Sequence, residues 1–445
     1  MNNLQLFLPC PAGVEEMLAV EVAKVLNEPA DVAKAVRGGV RVEASWREVM
    51  QLNLHIRLAQ RVLVQLADQP YHVEDDIYEA ANDVAWEAWF TPRETLRVDI
   101  TAQHSPLKSL NFAALRVKDG VVDRLRSTCG TRPDIDTSHP HVRVHVHLDA
   151  THVTLYIDTS GEPLFKRGWR EDKGDAPLKE TLAAAMIAAT GWDARTMPLY
   201  DPCCGSGTVA IEAAQIACNI PSGLQRRFGF SNLLPFQSHV WDGLLDQAHA
   251  GVISGPSASG EILVFGSDVS HRMVDFADRN AHRAGVTHAL HLRGGDALQR
   301  TPPTEAMGIL LLNPPYGERI AAAGVAGERA ADRAEGHAEG RAEGRSDGRR
   351  QPNRHADRQQ EHVWREAAQV DGGEDSGEGD AFFDRLATHW KQHFGGWQAW
   401  LLTPDMKLPG KMRMKASRRV PMWNGPIECR LFRFDLTAMG KRHGE

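Results

Sequence analysis

The run Asn313-Pro314-Pro315-Tyr316 carries groups suited to holding a planar ring with an amino group on its edge. The asparagine amide oxygen and the proline carbonyls are acceptors, and the prolines bring no N–H of their own. An exocyclic amine has two N–H donors to offer them. Bonds to both would turn the nitrogen lone pair toward an incoming electrophile. Tyr316 adds an aromatic face, of the kind on which splayed-out bases stack. The run contains no evident general base. None is required before attack, because the product ammonium is far more acidic than the amine, so catalysis here is mainly positioning.

About 110 residues upstream stands Asp201-Pro202-Cys203-Cys204-Gly205-Ser206-Gly207-Thr208. The apolar run Met197 to Tyr200 precedes it and the helix-forming run Val209 to Ala214 follows. This reads as strand, tight turn, helix. Glycines let the backbone approach a ligand closely, and free N–H groups at the helix start face it. The glycine spacing differs from the dinucleotide-binding fingerprint. Two carboxylates follow at the ends of further strand runs: Asp268 after Glu261 to Ser267, and Asp296 after His288 to Gly295. A carboxylate at the end of the second strand of such a unit suits a diol. Each aspartate suits capping of the next helix equally well. Met307 to Leu312 is the strand that delivers Asn313.

These motifs, in this order, resemble the class I S-adenosylmethionine-dependent methyltransferases, and within them the RNA guanine-N2 branch that carries an N-terminal THUMP domain. Lys166-Arg167-Gly168-Trp169-Arg170 and the segment from Ala176 to Ala185 resemble two segments that precede the cofactor loop in this family. Trp169 stands where the family usually has Tyr, and Thr181 where it has Asn. The resemblance implies S-adenosyl-L-methionine as cofactor, held by Asp201, Cys203, Gly205, Ser206, Gly207, Thr208, Asp268, Asp296 and Asn313. Asp268 would take the ribose and Asp296 the adenine amino group. Asn313, Pro314, Pro315 and Tyr316 would form the catalytic motif. The implied fold is α/β, a Rossmann-like class I sheet of seven strands closed by an antiparallel hairpin around Asn424-Gly425.

The elements that must position these groups extend along the whole chain. Residues 4–66 read strand (Leu4 to Pro9), helix (Gly13 to Leu26), strand (Gly39 to Glu43), helix (Trp46 to Asn53), strand (Ala59 to Leu66). Residues 67–165 add the strand Thr95 to Ile100, the helix Leu110 to Thr128 and a strand pair at 142–148 and 151–158. The resemblance gives three parts: a ferredoxin-like module at 1–66, a THUMP RNA-binding domain at 67–165, and a methyltransferase domain at 166–445. Residues 218–260, with Arg226 to Phe230 and Trp241 to Leu245, look like the family's own insertion. Residues 321–380, with their Arg-Ala-Glu-Gly repeats, do not, and read as a disordered loop.

The chain has 445 residues and 42% hydrophobic content, enough for two or three domains. No basic leader or long apolar run opens it, so no signal peptide, no membrane partner and a cytoplasmic location are expected. Six scattered cysteines read as free thiols, and no metal site is expected. His145 and His147 alternate along a strand and are expected on one exposed face.

A net charge of −7 gives no global support for a nucleic-acid partner, but its distribution does. Residues 381–445 hold 12 basic and 5 acidic side chains. Lys108, Arg116, Lys118 and Arg126 form one candidate phosphate-tracking cluster, and Lys411, Arg413, Lys415, Arg418 and Arg419 another. The partner expected from the resemblance is structured RNA, either 23S rRNA or an assembly intermediate. A tRNA guanine-N2 methyltransferase, a DNA adenine-N6 methyltransferase and a non-catalytic RNA-binding ribosome-assembly factor stay open at this point.

Overall fold

The strand runs that end at Asp201, Asp268, Gly294 and Leu312 lie side by side in one sheet of the computed structural model, which describes residues 3–174, 177–314 and 377–437. The chain divides into two compact units, Met1–Gly168 with Ile220–Val252, and Trp169–Asn219 with Ile253–Glu445.

The first unit is built on a seven-stranded sheet. Its strands are β1 (Leu4–Pro9), β2 (Ala33–Val36), β3 (Gly39–Ala44), β4 (Leu63–Pro70), β5 (Leu96–Ala102), β6 (Val142–Leu148) and β7 (His152–Asp158), in the order β2-β3-β1-β4-β7-β6-β5. Among these described strands only β5 and β6 run parallel to each other. The helices are α1 (Glu15–Leu26), α2 (Trp46–His55), α3 (Glu74–Asp83) and α4 (Leu110–Cys129). A capping box opens α2, where Ser45 and Glu48 each satisfy the other's backbone N–H.

Three expectations need correction here. Strand β4 starts at Leu63 rather than Ala59, because the chain at Gln60 is tied back to the Pro9 carbonyl at 2.7 Å. Strand β2 has no apolar run to announce it, being a four-residue strand at the sheet edge. His145 and His147 are half-buried rather than exposed, and His145 Nε2 lies 3.4 Å from the buried Asp158.

The second unit carries α5 (Glu180–Thr190), β8 (Leu199–Asp201) and α6 (Thr208–Ala217). Helix α7 (Ser238–Ala250) belongs to the first unit. Then come β9 (Val264–Asp268), α8 (His271–Arg283), β10 (Leu290–Gly294), β11 (Ile309–Leu312), α9 (Gly377–His393), β12 (Gln398–Thr403), α10 (Leu408–Lys411), β13 (Arg418–Asn424) and β14 (Ile427–Asp435). The sheet order is β10-β9-β8-β11-β12-β14-β13. Strands β10, β9, β8, β11 and β12 are parallel, and β14 and β13 form the antiparallel close. Numbered within this sheet, the order is 3-2-1-4-5-7-6; seven strands closed by an antiparallel hairpin are what the resemblance implied.

Strands covered on both faces read as continuous apolar runs, and Ile309–Leu312 is buried at every position. Alternate residues serve opposite faces. Leu310 and Leu312 share a core with Phe383, Leu386, Trp390 and Phe394 of the α9 segment. Strand β8 packs against α6 on its way to the loop. Pro315, Tyr316 and residues 321–376 of the expected insertion lie outside the described residues. Helix α9 begins four residues inside the expected end of that insertion.

Residues 220–252 were expected within the catalytic half, as a family insertion. Their packing groups them with the first unit. Gly223 N–H donates to Leu54 O at 2.9 Å and Phe230 N–H to Thr159 O at 2.8 Å. Phe228, Phe230 and Trp241 pack together with ring centroids 5.0–5.6 Å apart.

Candidate active site

Strand order reverses between β8 and β11, and open α/β sheets bind ligands outside the carboxyl ends of their strands at such a point. Every expected cofactor residue among those described stands there. Asp201 ends β8, Cys203 to Thr208 form the turn into α6, Asp268 ends β9, Asp296 follows β10, and Asn313 follows β11.

The loop after β8 is held from below by carboxylates and carbonyls. Cys203 N–H donates to Asp201 Oδ1 at 3.0 Å, and Cys204 N–H to Ser267 O at 2.9 Å. Asp268 is the hub. Its Oδ2 accepts from Gly205 N–H at 2.9 Å and its Oδ1 from Ser270 N–H at 3.0 Å. Its backbone carbonyl accepts from Gly295 N–H at 2.9 Å, tying in the turn after β10. The cap of α8 is Ser270, whose hydroxyl accepts from Met273 N–H at 3.4 Å. Asp296 Oδ1 accepts from Leu298 N–H at 2.9 Å, so one of its oxygens is committed to its own turn.

Gly205 and Gly207 both have positive φ, at 52° and 90°. A Cβ on Gly205 would meet nothing within 4 Å, so the backbone there faces open space that a ligand can enter. A Cβ on Gly207 would stand 3.0 Å from Ala277, so that glycine allows α8 to pack close.

Burial dominates the electrostatics. It pushes the Asp201 carboxyl up to about 8, well above the ordinary carboxylate range. The neighbouring thiols of Cys203 and Cys204 are pushed well above their usual value, first by burial and then by the surrounding aspartates. Both are therefore poor nucleophiles. Asn313 is half-buried and Pro314 buried.

The chain matches an RlmL ferredoxin-like domain over residues 5–63, a THUMP domain over 71–158, and an RMKL-like methyltransferase domain over 167–329. The described residues of the site lie within the segment that matches an RMKL-like methyltransferase domain. The "Ribosomal RNA large subunit methyltransferase K/L" of Shewanella pealeana is 32% identical over 440 residues, covering 99% of this chain and 54% of that protein. The chain thus spans about half the length of the curated relatives it matches. The fold is shared with SMU.472, crystallised in complex with SAH (TM-score 0.75, 22% identity, 99% of this chain and 100% of that one). It is shared also with a Listeria monocytogenes protein described as an N6-adenine-specific DNA methylase (TM-score 0.74, 24% identity, 98% and 97%).

Residues that spacing did not single out also hold the loop. Arg170 and Asn280 hydrogen-bond to the glycine loop, and Asn280 also to the Asp172 carbonyl. The only signal was the Arg167-Gly168-Trp169-Arg170 segment, which carried no assigned role.

The two basic clusters fare differently. On α4, Arg116 pairs with Asp75 at 2.6 Å, Lys118 with Asp119 at 2.7 Å and Arg126 with Asp123 at 3.0 Å. Lys108 is exposed just ahead of the helix. At the other end of the chain, Lys411 pairs with Asp405 at 2.9 Å and the exposed Arg413 reaches Asp384 at 3.7 Å, whereas Lys415, Arg418 and Arg419 are exposed. Among the described residues no group of histidine, cysteine and carboxylate side chains could hold a metal ion. No described helix is long and apolar enough to cross a membrane, and the six cysteines are free.

Proposed function

We propose that the chain transfers a methyl group from S-adenosyl-L-methionine to the exocyclic N2 amine of a guanine in 23S rRNA. One observation carries this reading. Asn313 and Pro314 follow β11 directly, next to the strand whose end bears the glycine loop, so base-holding and cofactor-holding motifs share one rim of the sheet.

The residues present fit the cofactor. Gly205 leaves open space over the loop, and helix α6 starts there with the N–H groups of its first turn. Asp268 would accept from the ribose hydroxyls and Asp296 from the adenine amino group, with Asp201, Cys203, Ser206, Gly207 and Thr208 shaping the loop. S-adenosylmethionine, when bound, supplies an electrophilic methyl on a sulfonium. Asn313, with the carbonyls of Pro314 and Pro315, would hold the guanine amine by its two N–H groups, and Tyr316 would stack on the ring. The chain's own contribution is orientation, at a site that asks for no general base.

The ferredoxin-like module (1–66) and the THUMP domain (67–165) would dock a structured RNA for the methyltransferase domain (166–445). Lys108, Arg116, Lys118 and Arg126, and Lys411, Arg413, Lys415, Arg418 and Arg419, would follow its phosphates. Either 23S rRNA or an assembly intermediate is the partner, in the cytoplasm. The rRNA assignment draws on the names of the relatives, which are rRNA methyltransferases. Mass spectrometric mapping of rRNA from a strain lacking the protein tests it, beside methyl transfer in vitro to 23S rRNA, tRNA and DNA. A missing guanine methylation in 23S rRNA is expected. Unchanged rRNA with transfer to tRNA or DNA would overturn it.

A further inference from the structure

Besides Asp268, a second set of residues, centred on an arginine, grips the glycine loop. The arginine comes from the short segment from Trp169 to Asp172. Arg170 donates three hydrogen bonds from one guanidinium: Nε to Glu180 Oε1 at 2.6 Å, Nη1 to Ser206 Oγ at 2.9 Å, and Nη2 to Thr208 Oγ1 at 2.7 Å. Its side chain is 13% exposed and that of Glu180 4%. The Trp169 ring, itself buried, lies 4.9 Å beneath the guanidinium. Only a planar fork reaches a carboxylate and two hydroxyls at once, so lysine does not replace it.

The segment is itself anchored to α8. Asp172 pairs with Arg279 at 2.9 Å and Arg283 at 2.5 Å, which holds its carboxyl down at about 2. Asn280, fully buried, donates from Nδ2 to Asp172 O at 2.8 Å and to Ser206 O at 3.1 Å. One amide therefore ties the segment and the loop to the same helix.

A loop of two glycines, a serine and a threonine has much freedom to lose on ordering. A hydroxyl has one proton and two lone pairs. When Ser206 and Thr208 accept from Arg170, each keeps its single proton to donate elsewhere. We infer that Arg170 is a positioning residue: it fixes the loop before the cofactor arrives and presents the Ser206 and Thr208 hydroxyls as donors to acceptor groups of that cofactor. The second half rests on the S-adenosylmethionine reading above, and the first does not.

The test uses the full chain in two measurements. Hydrogen exchange of the unliganded protein reads the loop alone. Amides of peptides covering 203–210 should exchange at least tenfold faster in Arg170→Gln, and somewhat less fast in Arg170→Lys. Titration with S-adenosylhomocysteine reads the hydroxyls. Arg170→Gln should weaken affinity at least tenfold, and Thr208→Val added to it should cost no further loss beyond about twofold, because the Thr208 hydroxyl is a donor to the cofactor only while Arg170 holds it. Unchanged exchange, or losses that multiply, would overturn the inference. Should Arg170→Gln not fold, Ser206→Ala and Thr208→Val leave the Arg170–Glu180 pair intact, and unchanged loop exchange in both would overturn it equally. A wild-type protein that ignores S-adenosylhomocysteine refutes the cofactor reading and the donor role, while the exchange comparison still decides whether Arg170 fixes the loop.

Discussion

The Asp268 carboxylate accepts a hydrogen bond from the Gly205 backbone N–H at 2.9 Å. The end of β9 thus sets the curvature of a loop that follows β8, across 63 residues of sequence. A carboxylate expected to meet a ligand first meets its own chain. Its remaining acceptor capacity is what a ribose diol would use, since each ionised oxygen accepts more than one bond.

Asp268→Ala should therefore lower both stability and cofactor affinity. The N–H groups of Gly205 and Ser270 lose their acceptor, which costs about 1–3 kcal/mol when such groups are buried. Chemical denaturation should show that loss, and titration with S-adenosylhomocysteine at least a tenfold fall in affinity. A stability loss with unchanged affinity would leave Asp268 a purely structural residue.

Asn313→Ala should separate binding from chemistry. Methyl transfer to 23S rRNA should fall at least a hundredfold, with cofactor affinity kept within about tenfold. Equal losses in both would make Asn313 chiefly a cofactor residue.

Asp201 predicts an unusual pH dependence. Burial lifts its carboxyl from 3.8 to about 8 in the folded protein. The unfolded chain releases this proton near pH 4, while the folded chain keeps it to about pH 8. The folded state binds the extra proton throughout that window, so this group's effect on stability worsens as pH rises from about 4 to about 8 and is then constant. Asp201→Asn keeps an acceptor for Cys203 N–H and removes the titration. Its melting temperature relative to wild type should climb between pH 4 and pH 8. A difference that does not change with pH would refute the burial effect.

The exposed cations near the end of the chain should govern salt dependence. Replacing Arg413, Lys415, Arg418 and Arg419 with Ala should weaken RNA binding and flatten the plot of log affinity against log salt. Each phosphate that the variant no longer neutralises should lower the slope by about 0.7–0.9. Lys411→Ala should do less, because Asp405 already neutralises that ammonium. An unchanged slope in the fourfold variant would remove this surface from the RNA path.

The strand ends were legible because chemistry there coincides with local pattern. Met197 to Asp201 and Met307 to Asn313 are apolar runs that stop at a functional residue, and the turn glycines mark the bend. The hairpin at Asn424-Gly425 was legible from its turn chemistry alone. What remained hidden is carried by hydrogen bonds between distant residues. Nothing in the periodicity of α8 links Asn280 to Ser206, 74 residues away. Arg170 looked like one more basic residue in a familiar segment, since its three partners lie 10, 36 and 38 positions further along the chain. The ion pairing within the first basic cluster was hidden in the same way, because the carboxylate that meets Arg116 is Asp75, on another helix.

The discontinuous path of the first unit bears on how the protein responds to cutting. A protease that nicks the chain between Gly168 and Trp169 frees no domain. The C-terminal fragment still contains residues 220–252, whose Phe228, Phe230 and Leu233 are buried in the fold of the N-terminal fragment. Ser222 and Arg226 hold them there through the carbonyls of Ile56 and Pro163, at 2.8 and 2.9 Å. The nicked protein should migrate as two bands under denaturing conditions and as one particle without them. Gene truncation at the same point would instead expose an aromatic surface with nothing to cover it.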